Sequence, residues 1–379
     1  MNLHSHARIL VVFSIFLLGS CQQRVVQDET LAASICDDLN GMVDSVFNSN
    51  LGAKGIMVNV IYGDETACTA IAGLAKEGTT LTANHPILIA SNTKTYMATA
   101  MMVCIENGLI ELDEAIKCYL RDSTVAYMNR AGYDLAKITV KQLMSHTSGI
   151  YDYVDDPIFF ELAENDPKHQ WTRAEQIGLA MQHEPLDTAG GTFEYADTNY
   201  LLLGEIMENL TGKPFYQAVR ELIDYEKLDF DHTWFVDLEE TPADLPERAQ
   251  QFYTAYKVNS YDLSPTFDLY GGGGIATTIS EMSSFYHKLF NGEILSRSGS
   301  LDMMKMEIPT PDTKSSHYHF GLSSAETAAH KYYGHGGFWG TTSRHFPELN
   351  ITISVCILEK DYGQLRGEII ESIIRNQSD

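Results

Sequence analysis

Ile89-Ala90-Ser91-Asn92-Thr93-Lys94 places a serine and a lysine three residues apart at the mouth of an apolar helix. Residues three apart on a helix share a face, so Ser91 Oγ and the Lys94 ammonium can meet. A helix N-terminus adds backbone N–H groups nearby. A serine hydroxyl is a weak nucleophile until a neighbour takes its proton, and a partly buried lysine one turn along can assist. Taken alone, Ser-x-x-Lys more often marks a capping serine beside an exposed lysine. What the rest of the chain carries decides between the two.

Immediately outward, Pro86–Ala90 is a short apolar approach to Ser91. A helix is expected from about Thr93 to Glu106, stopping at Asn107-Gly108. It is apolar nearly all round and should be buried. Upstream, Lys54–Tyr62 and Thr66–Gly73 are β-rich runs split by Gly63-Asp64 and read as a hairpin. Before them, Thr30–Phe47 carries Leu31, Ile35, Leu39, Met42, Val43 and Val46 at helical spacing. Downstream, about 108–265 reads as mostly helical with long loops. Thr172 and Glu175 form a capping box there, and Thr198–Leu210 and Phe215–Ile223 are two further helices. Thr278 and Glu281 open another. The chain then returns to strands at Tyr318–Leu322, Thr341–Phe346 and Ile351–Leu358, and closes with a helix at Gln364–Ile374. This order predicts an α+β fold: an antiparallel sheet built from both chain ends, helices on its faces, and an inserted, mostly helical lobe.

A length of 379 residues accommodates one large domain, read here as 30–379. Hydrophobic content of 44% supports a sizeable core. The net charge of −25, with no basic stripe, argues against a nucleic-acid partner. Residues 1–21 read as a secretory signal: Arg8 precedes the apolar run Ile9–Leu18, which is too short to span a membrane. It ends in Leu18-Gly19-Ser20-Cys21, which resembles a bacterial lipobox, so Cys21 is the expected lipidation site and membrane tether. Residues 22–29 follow as a linking tether. The expectation is an exported protein, periplasmic or held at the outer membrane or cell surface. Of the five later cysteines, Cys104 and Cys356 lie in apolar runs and read as core. The compartment allows a disulfide among Cys36, Cys68 and Cys118, which spacing leaves unassigned.

Three more stretches carry chemistry: Leu143-Met144-Ser145-His146-Thr147-Ser148-Gly149-Ile150, Phe193-Glu194-Tyr195-Ala196-Asp197-Thr198-Asn199-Tyr200, and Gly334-His335-Gly336-Gly337-Phe338-Trp339-Gly340-Thr341. With Ser91-x-x-Lys94, and with Gly271–Ile275 before a capped helix, this ordered set resembles the serine β-lactamase and penicillin-binding-protein family. The nearest branch contains class C β-lactamases, D-alanyl-D-alanine carboxypeptidases, D-aminopeptidases and related esterases. The match runs over roughly 30–375. The resemblance implies a serine hydrolase without metal or organic cofactor, acting on a small-molecule or peptide substrate. It makes Ser91 the nucleophile that forms an acyl-enzyme, and Lys94 the residue that tunes and shuttles its proton. Tyr195 becomes general base in acylation and acid toward the leaving group, and His335 stands where a strand lysine is usual. Gly336 and Gly337 would let substrate lie along the strand edge, and the backbone N–H groups of Ser91 and Phe338 would form the oxyanion hole.

Two positions depart from the family pattern. Asp197 replaces the asparagine of Tyr-x-Asn. A carboxylate cannot donate to a substrate amide carbonyl, so Asp197 is expected to pair with Lys94 and keep it charged, leaving Tyr195 as the base. A phenol with an ordinary pKa near 10 then needs cations to stabilise its phenolate; Lys94, and His335 when protonated, are the expected sources. Gly336 replaces a threonine and removes a hydroxyl that binds carboxylates. Both changes favour a peptidase or esterase over a class C-like β-lactamase; a catalytically quiet peptidoglycan-binding protein is the contrasting class. Other candidates read as structural. His146 belongs to a helix end and turn. His317 and His319 alternate on a strand without metal-ligand partners. Gly271–Gly274 lacks a phosphate-loop lysine and reads as a tight backbone approach. Asp152, Asp155 and Asp156 read as solvated loop acids rather than calcium ligands.

Overall fold

A computed structural model describes residues 36, 38–63, 66–308, 317–328 and 330–376. The signal segment, Cys21, the tether and the first turns expected of the N-terminal helix lie outside the described residues; the helix itself runs over 38–49. Among the described residues the frame is an eight-stranded antiparallel sheet drawn from both chain ends. Its spatial order is Thr79–Thr80, Thr66–Lys76, Gly55–Tyr62, Ile351–Ile357, Thr341–Phe346, His330–Gly336, Ser323–Thr327, His317–Tyr318.

Register and alternation explain the two cores. Ile56 opposes Ile357 and Val58 opposes Val355, and these side chains face helix Leu365–Arg375 and the 38–49 helix through Leu39, Val43, Ile369 and Ile373. Met57 opposes Cys356, and both turn to the larger core with Met97, Met101, Tyr200 and Phe285. The strand Ile351–Ile357 is buried along its whole length and is apolar or β-branched at every position but Ser354, whose hydroxyl pairs with that of Ser343 at 2.8 Å. Each such side chain contributes about 1.5–3 kcal/mol of burial. A disulfide joins Cys36 to Cys68, with Cα atoms 5.3 Å apart and 32 residues of separation. In the chain-entropy account a loop of that size is worth about 3–4 kcal/mol. Cys104 and Cys356 are buried thiols, and Cys118 is exposed.

Local signals placed most helix ends correctly. The helix after Ser91 spans Thr93–Glu106, and eleven of its side chains are buried. The Thr172–Glu175 capping box forms, and Thr278 accepts from the Glu281 N–H. Two expectations need correction. The α-helices of the lobe end at Ile223, where Asp224 takes a left-handed conformation; from there to Pro265 the chain forms loops, two-residue strands and a 3-10 turn at Thr254–Tyr256. One of these, Trp234–Phe235, joins Ile275–Thr277 and Ile87–Leu88 in a small sheet beneath Ser91. The expected strand Tyr318–Leu322 is also broken. It ends at Tyr318, and the His319 N–H turns back to the Leu322 carbonyl. The ladder resumes as Ser323–Thr327 and His330–Gly336, and the second of these carries His335.

Candidate active site

Ser91 sits in a tight turn, Ala90–Asn92, just ahead of the Thr93–Glu106 helix. Ala90 holds φ +45°, an uncommon conformation for a residue with a Cβ that costs roughly 1–3 kcal/mol. The surroundings over-determine it. Asn92 is fully buried; its Nδ2 donates to the Ile89 carbonyl (3.2 Å) and Thr341 Oγ1 (3.0 Å), and its Oδ1 accepts from Tyr286 (2.9 Å). Thr341 Oγ1 in turn donates to Ile89 O at 3.1 Å. Gly337 completes the clamp, because a Cβ there would overlap the Ile89 carbonyl oxygen. Gly337 thus packs its backbone closely against Ile89, two residues ahead of Ser91. Gly336 does leave open space, with nothing nearer than 3.8 Å to a Cβ placed there.

Lys94 is completely buried. Its Nζ donates to Ser91 Oγ (3.1 Å), the Gly272 carbonyl (2.6 Å) and Asp197 Oδ1 (2.7 Å). All three ammonium protons thus have an acceptor. The Lys94–Asp197 pairing expected from the Asn-to-Asp departure is present. Burial pulls the ammonium down, but Asp197 and Tyr195 outweigh it and hold Lys94 above its ordinary value. Tyr195 exposes 38% of its surface, yet Lys94 and Ser91 both act on its hydroxyl and favour its ionised form. Burial pushes the phenol up to about 12, opposed by Lys94 and reinforced by Asp197. The resting site therefore holds an ammonium beside a neutral phenol at pH 7.

The glycine stretch at 271–274 is the tight approach expected of it. Gly272 supplies the carbonyl for Lys94, and a Cβ on Gly273 would overlap the Asp268 carboxylate. Asp268 and Asp152 were not legible as part of the site. Burial, and then the charge of Asp197, push each carboxyl up to about 7. Asp152 is buried, not solvated; it accepts from the Val154 N–H at 3.3 Å, and the backbone at Asp197 partly offsets the upward push on its carboxyl. Asp156 is also buried, capping Pro157–Asn165 and meeting His183 Nε2 at 2.8 Å, whereas Asp155 is exposed as expected.

Asp152 carries a pH prediction. Its folded pKa lies above the unfolded value, so its folded form binds more protons between about pH 4 and 7. The stability it contributes is complete below pH 4 and is lost as pH rises to about 7. Asp152→Asn keeps an acceptor and removes the charge. The variant is expected to be more stable than the parent at pH 8 by up to a few kcal/mol, and equal to it near pH 4. Urea unfolding at the two pH values checks this; a constant difference would assign the effect to packing.

His335 lies on strand His330–Gly336, and its ring is nearly buried. Nδ1 donates to the Gly336 carbonyl at 2.7 Å, which leaves Nε2 to accept from the Tyr318 hydroxyl at 3.1 Å. Burial, with the Lys94 charge, pushes the imidazole down to about 4. His335 is therefore neutral at pH 7, and among the described residues Lys94 is the cation that acts on the phenol. Tyr318, which sequence reasoning passed over, packs edge-on to Tyr195 with ring centroids 5.8 Å apart. His146 stands at a helix end with φ +56°, as expected. It is buried behind Tyr195, with ring centroids 4.3 Å apart and its Nδ1 accepting from the Ala196 N–H at 3.1 Å.

Fold and site together bring a serine, a lysine and a tyrosine to the start of a buried helix beside an antiparallel sheet. Residues 43–365 match the model of the Beta-lactamase family, and the chain belongs to that family. A hydrolase is the coarse activity this membership supports. Among solved structures, the chain is similar to a D-stereospecific amidohydrolase from Streptomyces sp., with TM-score 0.72 and 24% identity over 85% of this chain and 94% of that one. It is similar also to D-amino acid amidase from Ochrobactrum anthropi SV3, with TM-score 0.75 and 22% identity over 90% and 100%. At these identities the likeness establishes the fold. Among curated proteins, "Protein flp" of Staphylococcus aureus (strain MW2) is 30% identical over 135 residues, 35% of this chain and 25% of its own length. "Acyltransferase mokF" of Monascus pilosus is 28% identical over 240 residues, 58% of this chain and 56% of its own length. The chain thus spans between a quarter and about half of these curated relatives.

Proposed function

We propose that the protein is an exported serine hydrolase that forms an acyl-enzyme on Ser91 and acts on small amides or esters, D-amino-acid peptides first among them. The observation that carries this reading is the convergence on Ser91 Oγ of the Lys94 ammonium, at 3.1 Å, and the Tyr195 hydroxyl. Ser91 Oγ bonds to the substrate carbonyl carbon while its proton passes to the Tyr195 oxygen. Tyr195 gives its own proton to the departing nitrogen or oxygen as that bond breaks. A neutral phenol can do both in one relay, so a standing phenolate is unnecessary, and Lys94 stabilises the charge that develops along the way. The tetrahedral oxyanion is received by the Ser91 and Phe338 N–H groups. Water then reverses the relay and frees Ser91.

Asp197 steers the substrate reading. Its carboxylate is occupied by Lys94 and offers no donor to an amide side chain, which disfavours β-lactam turnover. Intact-protein mass spectrometry of the mature domain tests the proposal, using a penicillin, a D-alanyl-D-alanine thioester and a nitrophenyl ester, with product release followed in parallel. Turnover of the thioester or ester through a Ser91 adduct is the expected result. Rapid penicillin turnover would favour the class C-like β-lactamase reading, and no adduct with any probe would favour the quiet peptidoglycan-binding reading. Asp197→Asn supplies a donor and removes the charge that opposes ionisation of Tyr195. It is expected to raise penicillin acylation on the order of tenfold and to move the alkaline limb of kcat/KM to lower pH. If neither quantity moves, Asp197 has no such influence.

A further inference from the structure

The face of the sheet opposite Ser91 holds a cavity of about 360 Å³ between strands His330–Gly336 and Thr341–Phe346 and the start of helix Leu365–Arg375. Side chains alternate across a strand. His335 points to Tyr318 and the active site, so Gly334 and Gly336 address the other face. Arg344 opposes Gly334 on one side and Ile353 on the other, and Ile353 belongs to the core beneath the C-terminal helix. Arg344 therefore stands on this rear face, where Arg366 of the C-terminal helix lines the same cavity.

Two guanidinium groups share this cavity in a chain of net charge −25, yet their partners are neutral oxygens. Arg344 Nη1 donates to Thr327 Oγ1 at 3.2 Å. Arg366 donates through Nε to the Gly363 carbonyl at 3.0 Å and through Nη1 to the Thr341 carbonyl at 2.7 Å. No carboxylate is among the groups that act on either arginine in the described residues; burial, and for Arg366 the like charge of Arg344, draw them below their ordinary values. The Arg344 guanidinium lies over the Tyr332 ring, its Cζ 4.3 Å from the centroid. Each guanidinium carries five N–H donors, more than these contacts use. The walls leave room: a Cβ on Gly367 would meet nothing within 4 Å. Like charges gathered in a half-buried cavity are costly until an anion joins them, and planar guanidinium groups match carboxylate and phosphate oxygens.

We propose that this cavity binds a small oxyanion, a phosphate or carboxylate group, between Arg344 and Arg366 on the side of the sheet away from Ser91. The site stands independently of the hydrolase reading. It communicates with the front of the sheet, because the Thr341 carbonyl held by Arg366 also accepts from the Gly337 N–H at 2.8 Å, at the turn that carries Phe338.

Calorimetric and thermal-shift titrations with inorganic phosphate and with acetate, at constant ionic strength in chloride, test the site. The proteins are the parent, Ser91→Ala, Arg344→Gln and Gly367→Leu, the last of which adds an apolar side chain at the cavity wall and keeps both arginines. Saturable binding is expected in the parent and in Ser91→Ala, weakened at least tenfold in Arg344→Gln and in Gly367→Leu. Tighter phosphate identifies a phosphoryl ligand, and tighter acetate a carboxylate. Absence of saturable binding in the parent would overturn the proposal, as would equal affinity in the parent and Gly367→Leu. Should Arg344→Gln fail to fold, Gly367→Leu carries the comparison.

Discussion

Ser91→Ala is expected to lower kcat/KM for a nitrophenyl ester by on the order of 10⁴-fold or more, with the unfolding midpoint in urea unchanged. The size of the loss follows from the site. Among the described residues no other serine or threonine hydroxyl accepts from the Lys94 ammonium, so none stands in place to take over the attack. The intact fold follows from the same geometry. Lys94 keeps Asp197 Oδ1 at 2.7 Å and the Gly272 carbonyl at 2.6 Å after Ser91 Oγ is removed, so no buried charge is stranded. The turn itself is held by Asn92 and Thr341, which the substitution does not touch. Unreduced ester turnover by Ser91→Ala would refute the nucleophile assignment. Loss of activity accompanied by unfolding would instead place Ser91 in the scaffold.

Lys94→Met is expected to remove activity to a similar extent and, unlike Ser91→Ala, to destabilise the fold. Methionine fills the volume but supplies no charge. Asp197 then faces Asp152 and Asp268 with no buried cation between them. Leaving a buried charge without its partner costs about 3–5 kcal/mol. The cost has a definite pH dependence. The Asp152 and Asp268 carboxyls already stand near 7 in the parent. Lys94 lowers both, so its removal raises them further. Groups with folded pKa above the unfolded value stabilise the fold at low pH and lose that contribution as pH rises. The deficit of Lys94→Met is therefore largest at pH 8 and shrinks toward pH 5. Adding Asp197→Asn should recover part of the stability at pH 8 and none of the activity. Urea unfolding across pH 5 to 8, read as a double-mutant cycle, measures the coupling. A deficit that is flat with pH would mean that lost packing, rather than stranded carboxylates, is responsible.

Much of this protein is local in origin and was legible in the chain. The three-residue spacing of Ser91 and Lys94 places both on one side of the turn and helix. The Thr172–Glu175 capping box and the Gly212 stop are short-range hydrogen-bond and backbone preferences, and the corresponding helix ends fall where those residues put them. The buried strand Ile351–Ile357 announces itself by composition. The order of Ser-x-x-Lys, Tyr195 and His335 suffices for the family. His330–Gly336 was missed as a strand because His-Lys-Tyr-Tyr-Gly-His-Gly has no apolar alternation; it pairs because Ser323–Thr327 and Thr341–Phe346 offer it two ladders.

The charge states were decided only by tertiary structure. The sequence left the charge of His335 open; in the fold, burial and Lys94, 241 positions away by sequence number, together push it down to about 4. Asp152 and Asp268 look like ordinary loop acids until the fold places them against Asp197. The same holds for Arg344 and Arg366, which come together across a strand and a helix. Turn and helix preferences act over a few residues and survive in any context. Ionisation answers to desolvation and to charges brought close through space, and those distances exist only once the chain has folded.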